Sequence, residues 1–122
     1  MSNELDKFGQ FLITNFRDNA IYKINSLFEG HSKAPAYQEL QNSLKLINDD
    51  QKEIIKKAFI ISLDSGLHDL LFSLQEATDN EEGIEVLVNG SNIASQSDGL
   101  QGELFTEDGW LYKYSLYGGS IE

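Results

Sequence analysis

The chain contains no cysteine, which excludes a disulfide framework, a thiolate zinc site and a cysteine nucleophile, and suits a reducing compartment. Its core must hold the fold unaided, and 122 residues suffice, since a chain of this length buries roughly two-thirds of the surface its unfolded form exposes. Long apolar runs are missing as well. The longest covers only Ala58 to Ile61, far short of the roughly 20 residues a membrane-spanning helix needs. The opening MSNELDKFGQF lacks the basic segment and apolar stretch of a secretory signal. The expectation is a single domain over 1–122, in the cytoplasm and off the membrane.

Basic residues are scarce: nine Lys and Arg stand against 20 Asp and Glu, a net charge of −11. The imbalance is local. Residues 1–75 hold ten acids and eight bases, whereas residues 76–122 hold ten acids and one base, Lys113. Such a C-terminal third repels nucleic acid phosphates and anionic lipid, and attracts cations or a basic protein. It also keeps a protein soluble with no further role.

What is abundant is helical periodicity. Apolar residues at Leu5, Phe8, Leu12, Phe16, Ala20, Ile24, Leu27 and Phe28 predict a helix over about 3–28, capped by Ser2 or Asn3 and stopped by Gly30. Pro35, the only proline, suits the first turn of a second helix over about 36–47. Asn48 with Gln51 forms a capping box that opens the dominant element, a helix over about 49–77. Its apolar residues fall nearly all round, with Ile54, Ala58, Ile61 and Phe72 on one side and Ile55, Phe59, Leu63, Leu67, Leu70 and Leu74 on the other. A helix apolar on both sides is a buried one. Phe59 and Leu63 are therefore expected to anchor the bundle, and Ser65-Gly66 in mid-helix to mark a kink or a close helix crossing.

After Gly83 the period becomes β-like. Strands are expected at about 84–88, 93–96, 103–106 and 110–115, with turns at Asn89-Gly90 and Glu107-Asp108-Gly109. The glycines of 97–110 read as turn positions needing positive φ, and 117–122 as a frayed tail. The fold class is α+β: a three-helix bundle with a long central third helix, followed by a small four-stranded antiparallel sheet.

No motif names a reaction. On the long helix Lys57, Asp64, His68 and Gln75 form a narrow polar seam in which Asp64 and His68, one turn apart, can touch. This pair is the weak candidate for a general base or for two metal ligands, in a small hydrolase or metal-dependent enzyme. A third ligand is not evident, so no metal or cofactor is expected, and an ion pair or hydrogen bond lining a helix contact is the favoured reading of the pair. Asp98, Glu103, Glu107 and Asp108 fail as an EF-hand, because Ser97, Gly99 and Gln101 occupy positions that need oxygen ligands. Together with Trp110, Tyr112 and Tyr117 they have the composition of a binding face for a basic partner. The competing reading has Trp110 and Tyr114 covering the helices.

Over SDGLQGELFTEDGWLYKYS, residues 97–115, the chain resembles small acidic bacterial proteins of an uncharacterised family, and in size and charge it is similar to immunity proteins that neutralise toxins. That resemblance implies a non-enzymatic acidic protein-binding module with a basic toxin as partner, and it carries no site residue. A structural or regulatory homo-oligomer is the remaining reading.

Overall fold

The computed structural model describes residues 4–118. The expected cap at Ser2 or Asn3 and the end of the tail lie outside them. Helix α1, Glu4–Leu12, passes through a π-helical turn, Ile13–Arg17, directly into α2, Asp18–Glu29. Gly30 ends α2 in the left-handed conformation (φ 72°), as expected of a glycine after the last helical residue. A 3₁₀ turn at Pro35–Tyr37 leads into the short α3, Gln38–Leu44. Gln41, buried in α3, accepts from the Ser32 amide and donates to the Ser32 carbonyl, both at 2.9 Å, which fixes the loop before it.

The long helix α4, Asp49–Asp79, runs unbroken. Its capping box forms as read: Asn48 Oδ1 accepts from the Gln51 amide at 2.8 Å and Gln51 Oε1 from the Asn48 amide at 3.2 Å. Asp64 pairs with Arg17, while Asn25 and Phe28 line a cleft with Asp49 to Lys56, so α1–α2 lies antiparallel along α4.

Two expectations about these helices are corrected. The predicted inward face of the first helix included Phe16, which is 47% exposed, whereas Arg17 is buried at 1%. Burial follows Leu5, Gly9, Ile13, Arg17 and Ile21 in steps of four. Each such step overshoots a 3.6-residue helix by about 40°, and the wider π turn absorbs part of that drift. Nor is α4 buried all round. Ile60, Asp64, Leu67, Leu71 and Gln75 face the interior, while Ile54, Ile61, Leu70 and Phe72 are 69, 48, 50 and 44% exposed. Phe59 and Leu63 are only half-buried, so Leu67 and Leu71 anchor the core instead. At Gly66 the helix does not break, and among the described residues no close crossing occurs: a Cβ there would meet nothing within 4 Å.

The four-stranded sheet is corrected to one two-residue hairpin, β1 (Leu87–Val88) with β2 (Ser91–Asn92), paired Leu87↔Asn92 and Val88↔Ser91. Asn89 (φ 52°) and Gly90 (φ 84°) make the turn, and the Asn-Gly pair read from sequence supplies the two positive φ angles it needs. Residues expected at 93–96 and 103–106 lie instead in and beside 3₁₀ turns, Ile93–Gln96 and Leu100–Glu103. The Asn92 side chain accepts from the Ala94 amide at 3.1 Å and tightens the first of these. The expected strand 110–115 is helix α5, Trp110–Tyr114. Within α5, Trp110 and Leu111 are buried, Tyr112 and Lys113 exposed and Tyr114 half-buried. Over five residues that pattern satisfies a period of 3.6 while the residue types favour β. Gly99, Gly102 and Gly109 do not adopt the left-handed conformation expected of them, Gly99 being extended. Gly109 is needed for another reason, since a Cβ there would lie 2.6 Å from the Leu104 carbonyl oxygen.

One core joins α1, α4 and the C-terminal segment: Leu5, Ile13, Leu67, Leu71, Ile93, Leu100, Leu104, Trp110 and Leu111. Trp110 is 1% exposed, with Phe8 edge-on at 6.0 Å. This core grips the C-terminal half of α4. Among the described residues no helix is long and apolar enough to cross a membrane.

Candidate functional site

Two polar arrangements stand out, one interior and one on the surface. In the interior, the π turn delivers Arg17 and the first residue of α2 delivers Asp18, both buried. Arg17 donates to both carboxylate oxygens of Asp64, from Nε at 2.6 Å and Nη2 at 3.1 Å. Its Nη1 donates to Ser115 Oγ at 3.0 Å and to the Gly118 carbonyl at 3.3 Å. Asp18 accepts from the Ser115 hydroxyl at 2.7 Å and the Leu116 amide at 2.8 Å. Residues 115–118, of which 117 and 118 were expected to fray, are thus tied to the N-terminal helix. Sequence reasoning missed Arg17 and Asp18 because the signal is a charged residue at a core position, visible only once the π turn sets the helix phase.

The predicted meeting of Asp64 and His68 does not occur. Asp64 is taken by Arg17, while His68, 42% exposed at its side chain, lies with Nδ1 3.2 Å from Asp69 Oδ1 and its ring 6.2 Å from that of Phe105. Gln75, from the same seam, is a latch: it accepts from the Leu100 amide at 2.9 Å and donates to the Ala94 carbonyl at 3.0 Å, holding both 3₁₀ turns to α4. Gln75→Ala strands the Leu100 amide, which costs about 1–3 kcal/mol when buried without a partner, and takes one of two bonds from the Ala94 carbonyl, which keeps the Ser97 amide. A loss of about 2 kcal/mol is expected in urea unfolding, with Gln75→Leu no better, since leucine restores the volume but neither bond.

On the surface, the C-terminal segment packs against α1 and α4, with Trp110 and Lys113 reaching Asp6. Asp98, Glu107 and Asp108 are exposed, and Glu103 is half-buried with its carboxylate accepting from Ser97 Oγ at 2.7 Å. Tyr112 is 60% and Tyr117 43% exposed, but Trp110 is a core residue whose indole points toward Asp6 Oδ1 at 3.4 Å, so it takes no part in an exposed face. Apolar Ile84, Leu87 and Leu116 in the C-terminal third are exposed too, at 57, 55 and 89%. Lys113, the single base of this third, lies 3.7 Å from Asp6. Among the described residues no ion pair engages Glu81, Glu82, Glu85, Asp98, Glu107 or Asp108. Nor, among them, do three His, Asp or Glu side chains converge so as to hold a metal ion.

Comparison with known proteins finds no matching family model, no matching curated protein and no matching solved structure.

Proposed function

We propose that this protein is a non-enzymatic acidic binding module whose acidic end engages a basic protein, with a toxin neutralised by its immunity protein as the concrete case. The observation that carries this reading is acid without ion-pair partners among the described residues, Glu81, Glu82, Glu107 and Asp108, in the same third of the chain as exposed Ile84, Leu87 and Tyr112. Carboxylates steer a cationic partner over several ångströms, and exposed Tyr, Ile and Leu supply contact area once it arrives.

Steering has a kinetic signature. A partner captured with wild type from the source cell should associate more slowly as salt rises from low to physiological strength, with its dissociation rate nearly constant. The Glu107→Lys, Asp108→Lys double variant should mimic salt, slowing association about tenfold or more at low ionic strength. Both residues are exposed, so matching thermal unfolding curves are expected for the two proteins. A partner that binds both equally, at a rate flat in salt, leaves the acidic end as a solubility device only.

A further inference from the structure

The outward side of α4 carries a stripe that none of the described residues covers, and the geometry points to a second copy of this chain as its occupant, paired antiparallel through Ile54, Ala58, Ile61, Ser65 and Phe72. All five are exposed, the three large ones at 69, 48 and 44%. Their spacing alternates steps of four and three residues before the final step of seven to Phe72, the repeat by which two helices keep one seam in contact. Shallow grooves of about 330 and 310 Å³ flank Ile54, one reaching to Ile61 and the other to Ile47. The interior face of α4 is already occupied, with Leu67 and Leu71 at 1 and 0% exposure, so the stripe is not a core waiting for its own chain to close.

The stripe is complementary to itself in one orientation. With the dyad placed midway between residues 59 and 60, Ile61 of one chain faces Ala58 of the second copy, and Ile54 faces its Ser65. Each large side chain in the central layers then meets a small one, as knobs need holes. A parallel pair would instead stack isoleucine on isoleucine and alanine on alanine, alternating crowded and empty layers.

Charge decides the orientation in the same sense. Residues 76–122 hold ten acids and one base, and a parallel pair sets two such ends side by side. Antiparallel pairing sends them to opposite ends of a 31-residue helix, about 46 Å long and so several Debye lengths at physiological salt. The exposed parts of these side chains together offer on the order of 1,000 Å² for the pair, the lower bound for a specific interface. A weak, concentration-dependent dimer follows, independent of the acidic-end reading because the stripe lies along the outward face of α4 rather than at that end.

Sedimentation equilibrium at physiological salt tests this first. Wild type is expected to pass from monomer to dimer with rising concentration, and Ile61→Glu, at an exposed position, to weaken the dimer at least tenfold with an unchanged far-ultraviolet spectrum. Orientation is read by disulfide trapping, which a chain without cysteine makes unambiguous. Ile54→Cys and Ser65→Cys should each fail to cross-link alone and cross-link when mixed. A wild type that stays monomeric to its solubility limit, a dimer indifferent to Ile61→Glu, or Ile54→Cys cross-linking to itself would each overturn the proposal, the first by leaving the stripe to a foreign helix.

Discussion

Asp64→Ala is expected to destabilise the protein by about 3 kcal/mol, a large part of the 5–15 kcal/mol that holds a small domain together. The reason is asymmetry. Arg17 and Asp64 bury 99 and 92% of their side chains and share two hydrogen bonds. Removing the carboxylate leaves a guanidinium out of water with Ser115 and Gly118 as its remaining partners, and breaking such pairs typically costs 3–5 kcal/mol. Asp18, joined to Arg17 through Ser115, keeps the cost at the lower end. Replacing both partners with apolar residues removes the uncompensated charge, so Arg17→Met with Asp64→Leu should return to within about 1 kcal/mol of wild type. Asp18 retains its bonds from Ser115 and Leu116 in that double variant. Urea midpoints of wild type, Arg17→Met, Asp64→Leu and the double variant form the thermodynamic cycle, and a double-variant loss equal to the sum of the two single losses would show that the pair is not coupled.

The second large effect comes from one substitution with opposite signs in two helices. Alanine is preferred to glycine inside a helix by about 1 kcal/mol. At Gly66 that preference acts alone, because an added methyl meets nothing within 4 Å, and Gly66→Ala should stabilise by roughly that amount. At Gly9 the same methyl would lie 2.2 to 2.5 Å from three atoms of the Trp110 indole, a ring 1% exposed that has nowhere to turn. Overpacking of this kind costs about 1–3 kcal/mol and occasionally more. It outweighs the helix preference, giving a net loss of about 2 kcal/mol for Gly9→Ala. Trp110 is the only tryptophan, so its fluorescence should report the displaced ring while thermal unfolding reports the stability. If Gly9→Ala unfolds at or above the wild-type temperature, α1 and α5 are not packed as described.

How far the sequence could be read depended on whether a local signal was strong enough to stand alone. Asn48 with Gln51, Gly30 after Phe28, and Asn89-Gly90 each specify their geometry through their own backbone and side-chain chemistry, and each appears in the structure as read. The C-terminal third lacks such signals. Aromatic residues at 110, 112 and 114 favour strand, yet the segment coils because Trp110 and Leu111 are both drawn into the core and Gly109 lets the chain approach Leu104. Charge was legible in amount and in position along the chain. The approach of α5 to Asp6 needed the packing of that helix on α1. Asp64 was visible as a polar residue on a seam, but its partner came from a helix whose phase the π turn had altered.

That π turn also fixes the length of the N-terminal helix. Deleting one residue between Ile13 and Arg17 would let the backbone close into a regular α-helix, which on local grounds is an improvement. The two halves would then turn out of phase. With Gly9 kept against Trp110, the residues after the deletion would move by one position, and Arg17, Asp18 and Ile21 would leave the places that Asp64, Ser115 and the core require. The segment behaves as a gear set between two shafts. Substitutions on its exposed side chains Thr14, Asn15 and Phe16 are absorbed easily, whereas a change of a single residue in its count is not.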